Sequence, residues 1–364
     1  MMESQAIAAL EVQVTRLGMV LEPNGDPQEI EGILNPAATR TRDGRLLLYP
    51  RLVAAGNVSR VGIVEVNDRR TNFRRVGYAL EPQAAYEFRP PQNGYGCEDP
   101  RVTYLPALDA FVMSYTAFGP PGPRIALALS DDGFAWERLG LVDFSAVGLE
   151  NEDDKDAAFF PEPVISPGGV LSLAFYHRPM MRLSATQDYQ PLALAALALP
   201  PCERESIRIA YVPLAAVLED RRKLLAVAES VIVLEPQPEW GHLKTGAGTP
   251  PVAVAEGWLS VYHAVDHVPR EGDRSARCYS AGLLLHDRER PHLVRYHSAA
   301  PIMAPETPDE LRGTVNNVVF PTGIDCVPNG PDRCFEIYYG MADSRVGRAR
   351  IELGASTLAR ESAA

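Results

Sequence analysis

The 364-residue sequence predicts an all-β chain, a five-bladed β-propeller with its site at the central channel. Three observations carry that prediction. Short apolar runs broken by 32 Pro and 28 Gly recur along the whole chain, the pattern of many short strands rather than of helices. The runs come in units of constant internal order, five times over. Amphipathic helices are scarce, and the best candidate, Val212 to Glu229, reads equally well as a loop and turn between two blades.

Each unit starts near a Pro or a small polar cluster and enters a β-branched segment. A Gly or Asp turn follows, then an aromatic-rich strand and a further strand. The first runs from "NPAATRTRDGRLLLYPRL" to "SRVGIVEV". The second holds "EDPRVTYLPALDAFVMSYTAF" and "PRIALALSDDGFAW", and the third "FFPEPVISPGGVLSLAFYHRP" and "SIRIAYV". The fourth is "GTPPVAVAEGWLSVYHAVD" with "YSAGLLLHD". The fifth is "VFPTGIDCVPNGPDRCFEIYYGMADSRVGRARIEL". A spacing of roughly 60–90 residues suits a four-stranded blade with one long loop. In "SDDGFAW" the Asp-Asp-Gly step is a hairpin signal, and Trp136 is placed to pack between blades. A β-sandwich or two unrelated β domains is the competing architecture; the shared internal order favours the propeller. The boundaries expected are residues 1–30 as an extension packing on or closing the propeller, 31–354 as the propeller, and 355–364 as a tail.

Composition narrows the function. A formal net charge of −12 without a long basic run argues against nucleic acid, whose phosphates need clustered Lys and Arg. The first residues, "MMESQAIAALEVQVTRLGMVLEP", lack the basic and apolar regions of a signal peptide. No uncharged stretch is long enough to span a bilayer. A soluble, cytoplasmic protein without membrane partners is expected. Cys97, Cys202, Cys278, Cys326 and Cys334 are odd in number and lack metal-ligand spacing, so reduced thiols are expected, with no disulfide, zinc or other metal.

In a propeller the innermost strands line the channel, so polar residues at equivalent points of the units converge. The first unit offers Asn35, Arg51 and Arg60, and the second Glu98, Asp99, Arg101 and Arg124. The third has Lys155, Asp156, Glu162, His177 and Arg178, and the fourth Lys244, His263 and Asp266. The fifth has Asn316, Asn317, Tyr338, Tyr339 and Asp343. Charged groups in strands of Val, Leu and Phe are costly unless paired or used. Singly, each has an ordinary reading. Arg101 and Arg124 would pair with Glu98 or Asp131, His263 would be a hydrogen-bonded core histidine, and the two tyrosines would pack between blades.

Ordered motifs add to this: "GILNPAATR", "SRVG", "GCEDPRVT", "SYTAF", "DKDAAFFPE", "YHRP", "KTGAGTPPV", "GWLSVYHAV", "NNVVFPTG" and "YYGMADSRVG". With them the sequence resembles glycoside hydrolase family 130, the inverting β-mannoside phosphorylases and related β-mannosidases, from about Gly32 to about Gly347. The resemblance implies Asp99 as the catalytic acid. It implies Lys155, Arg178, Lys244 and His263 as the phosphate-binding groups. Asn35, Arg60 and Asp343 then contact the sugar, with Glu98 and Arg101 beside them. The reaction implied is phosphorolysis to α-mannose 1-phosphate, the proton passing through the sugar's own 3-hydroxyl. Phosphate is the co-substrate, and no cofactor is implied.

The chemistry is coherent. Inverting hydrolysis needs a second carboxylate to activate water, whereas phosphate is already a nucleophile and needs cations. Asp99 must start protonated, and the neighbouring Glu98 and an apolar channel are expected to raise its pKa against the pull of Arg101. A hydrolase of the same family, a non-catalytic sugar-binding propeller and an arabinanase-type glycosidase are the other readings. Thr249, Met341 and Cys97 depart from the family pattern, and the first two are expected near the channel. The acceptor sugar and its linkage stay open, with "FGPPGPR" and "DHVPREGDRSAR" as the loops expected to set them. Homo-oligomer formation is equally open.

Overall fold

A computed structural model describes residues 7–90, 94–180, 196–268, 277–327 and 333–358. The chain opens with β1 (Ile7–Leu21). Blade 1 follows as β2 (Gly32–Arg40), β3 (Leu46–Ala54), β4 (Val58–Val66) and β5 (Phe73–Leu80). Blade 2 is β6 (Tyr95–Leu105), β7 (Ala110–Gly119), β8 (Gly122–Ser130) and β9 (Glu137–Leu141). Blade 3 is β10 (Asp154–Phe159), the short β11 (Val164–Ile165), β12 (Leu171–Pro179), β13 (Ile207–Pro213) and β14 (Glu229–Leu234). Blade 4 is β15 (Lys244–Gly246), β16 (Val252–Val254), β17 (Gly257–His267), β18 (Arg277–His286) and β19 (Val294–His297). Blade 5 is β20 (Val319–Cys326), β21 (Cys334–Met341) and β22 (Arg345–Leu358), with β1 as its outer strand.

This is a five-bladed β-propeller. Within each blade the paired strands are antiparallel and, β1 apart, follow the chain from channel to rim, while a short parallel contact of β4 with β6 joins blades 1 and 2 into one sheet. The ring closes where β1 pairs with β22 from Ile7↔Leu358 to Leu21↔Val346. Arg16 on β1 pins the closure by donating Nε to Glu310 Oε1 at 2.9 Å.

Burial explains the residue pattern. Inner strands such as β2 and β6 are covered on both faces and read as nearly continuous buried runs. At the rim, β1 alternates between partly covered and exposed positions, the period-2 pattern of a strand with one wet face. Five apolar clusters fill the five clefts between neighbouring blades. Trp136 lies in one of them, its ring edge-on to Tyr49 at 5.6 Å. The candidate helix over Val212–Glu229 resolves into the end of β13, one short helix Leu214–Glu219 and a 3-10 turn Arg221–Leu225. No helix among the described residues is long and apolar enough to cross a membrane.

Candidate active site at the channel

The innermost strands carry the site on a repeated backbone device. The register of β2 against β3 slips between Leu34 and Ala37, that of β6 against β7 between Glu98 and Arg101, and that of β10 against β12 between Lys155 and Ala158. At these bulges Asn35, Asp99 and Asp156 adopt left-handed backbone, with φ of 44°, 46° and 65°. Non-glycine residues rarely sit there, and Asn and Asp tolerate it best. Asp343 shares the conformation at φ 50° in the turn after β21.

One cavity of about 170 Å³ receives side chains from all five blades. Asn35, Asp99 and Asp343 line it together with Arg51. Lys155, Asp156, Arg178, Lys244 and His263 line the rest of its polar wall, and Tyr279 and Phe320 add apolar surface. Seven of the ten residues given a role by the family resemblance therefore meet here.

The other three do not line the cavity. Glu98 is buried behind it, bridging Arg51 at 2.9 Å and Lys155 at 3.1 Å. Arg101 is buried with its guanidinium taken up by the backbone carbonyls of Asp99, Ala247 and Gly248, and it meets Asp156 at 3.5 Å. It ties the inner strand of blade 2 to the segment after β15 instead of pairing with Glu98. Arg60 turns away to Glu81, 3.9 Å distant, and to the Tyr78 ring. Arg51, one strand earlier, reaches Asp99 in its place, at 3.3 Å. Arg124 pairs with Asp153 rather than Asp131, and Glu162 with Arg288. His177 lies apart, held between Asp154 and Ser230. Thr249 and Met341 are buried outside the lining, and Cys97 is core.

Asp99 accepts from Asn35 Nδ2 at 2.9 Å and from Arg51. Burial pushes its pKa up, but Arg51, Lys155 and Arg101 outweigh burial and hold it below the ordinary carboxylate range. This reverses the expectation of a raised value, because Glu98 is consumed by the same cations that act on Asp99. The acid raised in this site is Asp343, which burial and then the nearby Asp99 charge push up to about 6.

The lysines and the arginine of this wall are all paired. Arg178 donates Nε to Asp156 at 2.6 Å and also meets Glu205, whose Oε2 lies 3.7 Å from Lys244 Nζ. Burial raises Asp156, but Arg178 leads a set of charges that hold it well below the ordinary range. His263 is buried, its ring tilted against Phe320 at 4.3 Å, with Nε2 3.7 Å from Asp156; neither ring nitrogen has a hydrogen-bond partner among the described residues. Burial lowers its pKa to about 3, so it is neutral near pH 7 and is not the satisfied core histidine its strand suggests. A Cβ at Gly246 would overlap both Asp156 Oδ2 and the His263 ring, so glycine there is required for this close approach.

Arg51 and Asp156 complete the lining although neither was assigned a role from sequence. Both stood among the polar residues of the first and third units expected to converge on the channel.

Known proteins are similar to this chain in sequence and in fold. A family model described as β-1,4-mannooligosaccharide phosphorylase covers residues 12–189 and 205–355. The chain belongs to glycoside hydrolase family 130. Two relatives from Thermoanaerobacter sp. (strain X514) agree. A 1,2-β-oligomannan phosphorylase is 28% identical over 81% of this chain and 79% of its own. A β-1,2-mannobiose phosphorylase is 29% identical over 81% and 78%. Among solved structures, a β-1,2-mannobiose phosphorylase from Listeria innocua superposes with a TM-score of 0.68 at 20% identity, covering 93% of this chain and 96% of that one. A family member described among hydrolases of β-1,2 mannosidic linkages in Candida mannan also gives 0.68, at 21% identity and 96% and 95% coverage. At such identities the structures speak for the fold.

Proposed function

We propose that this enzyme cleaves a β-mannoside by inverting phosphorolysis, releasing α-mannose 1-phosphate and a shortened acceptor. Membership of the family makes it a phosphorylase-type enzyme acting on mannosides. The inverting course and the linkage are the finer part of the proposal. β-1,2-linked mannose oligomers are the first substrates to try, because the two relatives that cover most of the chain act on that linkage.

One observation supports phosphorolysis over hydrolysis. Lys155, Arg178, Lys244 and His263 share a cavity with Asp99, and the two carboxylates at these cations, Asp156 and Glu205, are both ion-paired to Arg178. A base that activates water works best with a pKa near the operating pH. Asp156 is held far below that by Arg178, so it is a poor base and a good anchor for Arg178.

In the proposed mechanism the mannosyl unit lies against Asn35, Arg51 and Asp343. Protonated Asp99 delivers its proton through the sugar's 3-hydroxyl to the glycosidic oxygen. A phosphate oxygen attacks the anomeric carbon from the opposite face as the glycosidic bond breaks. The net proton comes from hydrogen phosphate, which restores Asp99. An entering phosphate also offsets the positive field of Lys155, which lets Asp99 take a proton. The test supplies α-mannose 1-phosphate with mannose, glucose or N-acetylglucosamine as acceptor and follows released phosphate. Release with at least one acceptor supports the reading; none with any acceptor, alongside phosphate-independent cleavage of β-mannobiose, overturns it.

A further inference from the structure

The cationic wall already holds an anion of its own. A single oxygen, Glu205 Oε2, contacts Arg178 and lies 3.7 Å from Lys244 Nζ. Arg178 is doubly engaged, but its two carboxylates differ. Asp156 is 1% exposed at its side chain and further fixed by Arg101. Glu205 is 15% exposed and stands just before β13, its backbone carbonyl accepting from Thr245 N at 3.0 Å. Asp156 is thus built into the floor, while the Glu205 side chain sits at the edge of the wall and is partly exposed.

We propose that Glu205 is a built-in competitor of phosphate: its carboxylate occupies the Arg178–Lys244 pair in the resting enzyme and must swing out when inorganic phosphate binds. This rests on the phosphorolysis reading. Two anions within about 4 Å repel strongly in a partly desolvated site, so phosphate and this carboxylate do not share both cations. In the resting state Glu205 keeps Arg178 and Lys244 neutralised and in place, which spares the cost of unpaired buried charge. The same contact weakens phosphate binding and so sets the phosphate concentration the enzyme needs. Glu205 is a positioning residue that touches no reacting atom.

Calorimetric titration with inorganic phosphate tests this without turnover. Glu205→Gln keeps size and polarity while removing the charge. Its phosphate Kd is expected to fall roughly tenfold, the scale of one charge-assisted contact, and in phosphorolysis the phosphate KM falls while the mannoside KM stays put. An unchanged or weaker phosphate affinity in Glu205→Gln overturns the proposal. Should that variant melt far below the native enzyme, a crystal of the native enzyme soaked in phosphate decides. Glu205 turned away from Arg178 supports the proposal, and Glu205 still seated beside bound phosphate refutes it. If the native enzyme cleaves β-mannosides without phosphate, the phosphorolysis reading fails on that result alone, while the Kd comparison still reads Glu205.

Discussion

Replacing Asp343 by Asn should stabilise the protein at neutral pH while removing activity. In the fold this acid titrates at about 6 rather than at its ordinary 3.8, because burial and then the charge of Asp99 disfavour its ionised form. The folded state therefore holds this proton more tightly than the unfolded chain does. Between pH 3.8 and about 6 stability falls as pH rises. Above that window the ionised carboxylate costs about 3 kcal/mol, at 1.36 kcal/mol per decade. For 364 residues this corresponds to about 4 °C in Tm. The assay is a melt of native enzyme and Asp343→Asn at pH 7.5 and at pH 3.5, without ligand. The variant is expected to melt higher at pH 7.5 only. Equal melting at pH 7.5, or the same gain at both pH values, would refute the claim that the site stores electrostatic strain on this carboxylate.

Three further outcomes follow from the same geometry. Asp99→Asn should lose activity by about 10²–10⁴-fold, the range for a general acid, with an unchanged circular dichroism spectrum. His263, neutral with a pKa of about 3, should show no imidazole titration between pH 5.5 and 8 by NMR, and phosphate affinity over that range should carry no histidine step. Gly246→Ala places a methyl group against Asp156 and His263; its phosphate affinity should drop at least tenfold by calorimetry, with a lowered Tm, since overpacking a rigid site costs about 1–3 kcal/mol.

The blades were legible because each unit repeats the same strand and turn chemistry. The bulge residues Asn35 and Asp99 were legible because each precedes a Pro at the same point of its unit. Asp156 precedes Ala157 instead, and its part in the site emerges from the register slip of β10 against β12. Choosing Arg51 over Arg60 needed the pairing of β3 with β4, where Leu52 opposes Arg60 and the two guanidinium groups diverge. The balance of charges on Asp99 is not readable from its neighbours in sequence. Glu98 adds a charge next door, but Lys155 and Arg51, distant along the chain, neutralise it and then act on Asp99. Glu205 lies just before its strand and outside every quoted motif, so only the tertiary contact with Arg178 reveals it. Of the two loops expected to set acceptor choice, "DHVPREGDRSAR" lies largely outside the described residues, as do residues 1–6 and 359–364 of the two terminal segments.

The most direct test follows β-1,2-mannobiose by proton NMR with and without inorganic phosphate. Phosphorolysis predicts α-mannose 1-phosphate as the first product, formed in proportion to phosphate consumed and absent without it. Free mannose appearing at the same rate with or without phosphate would contradict the account.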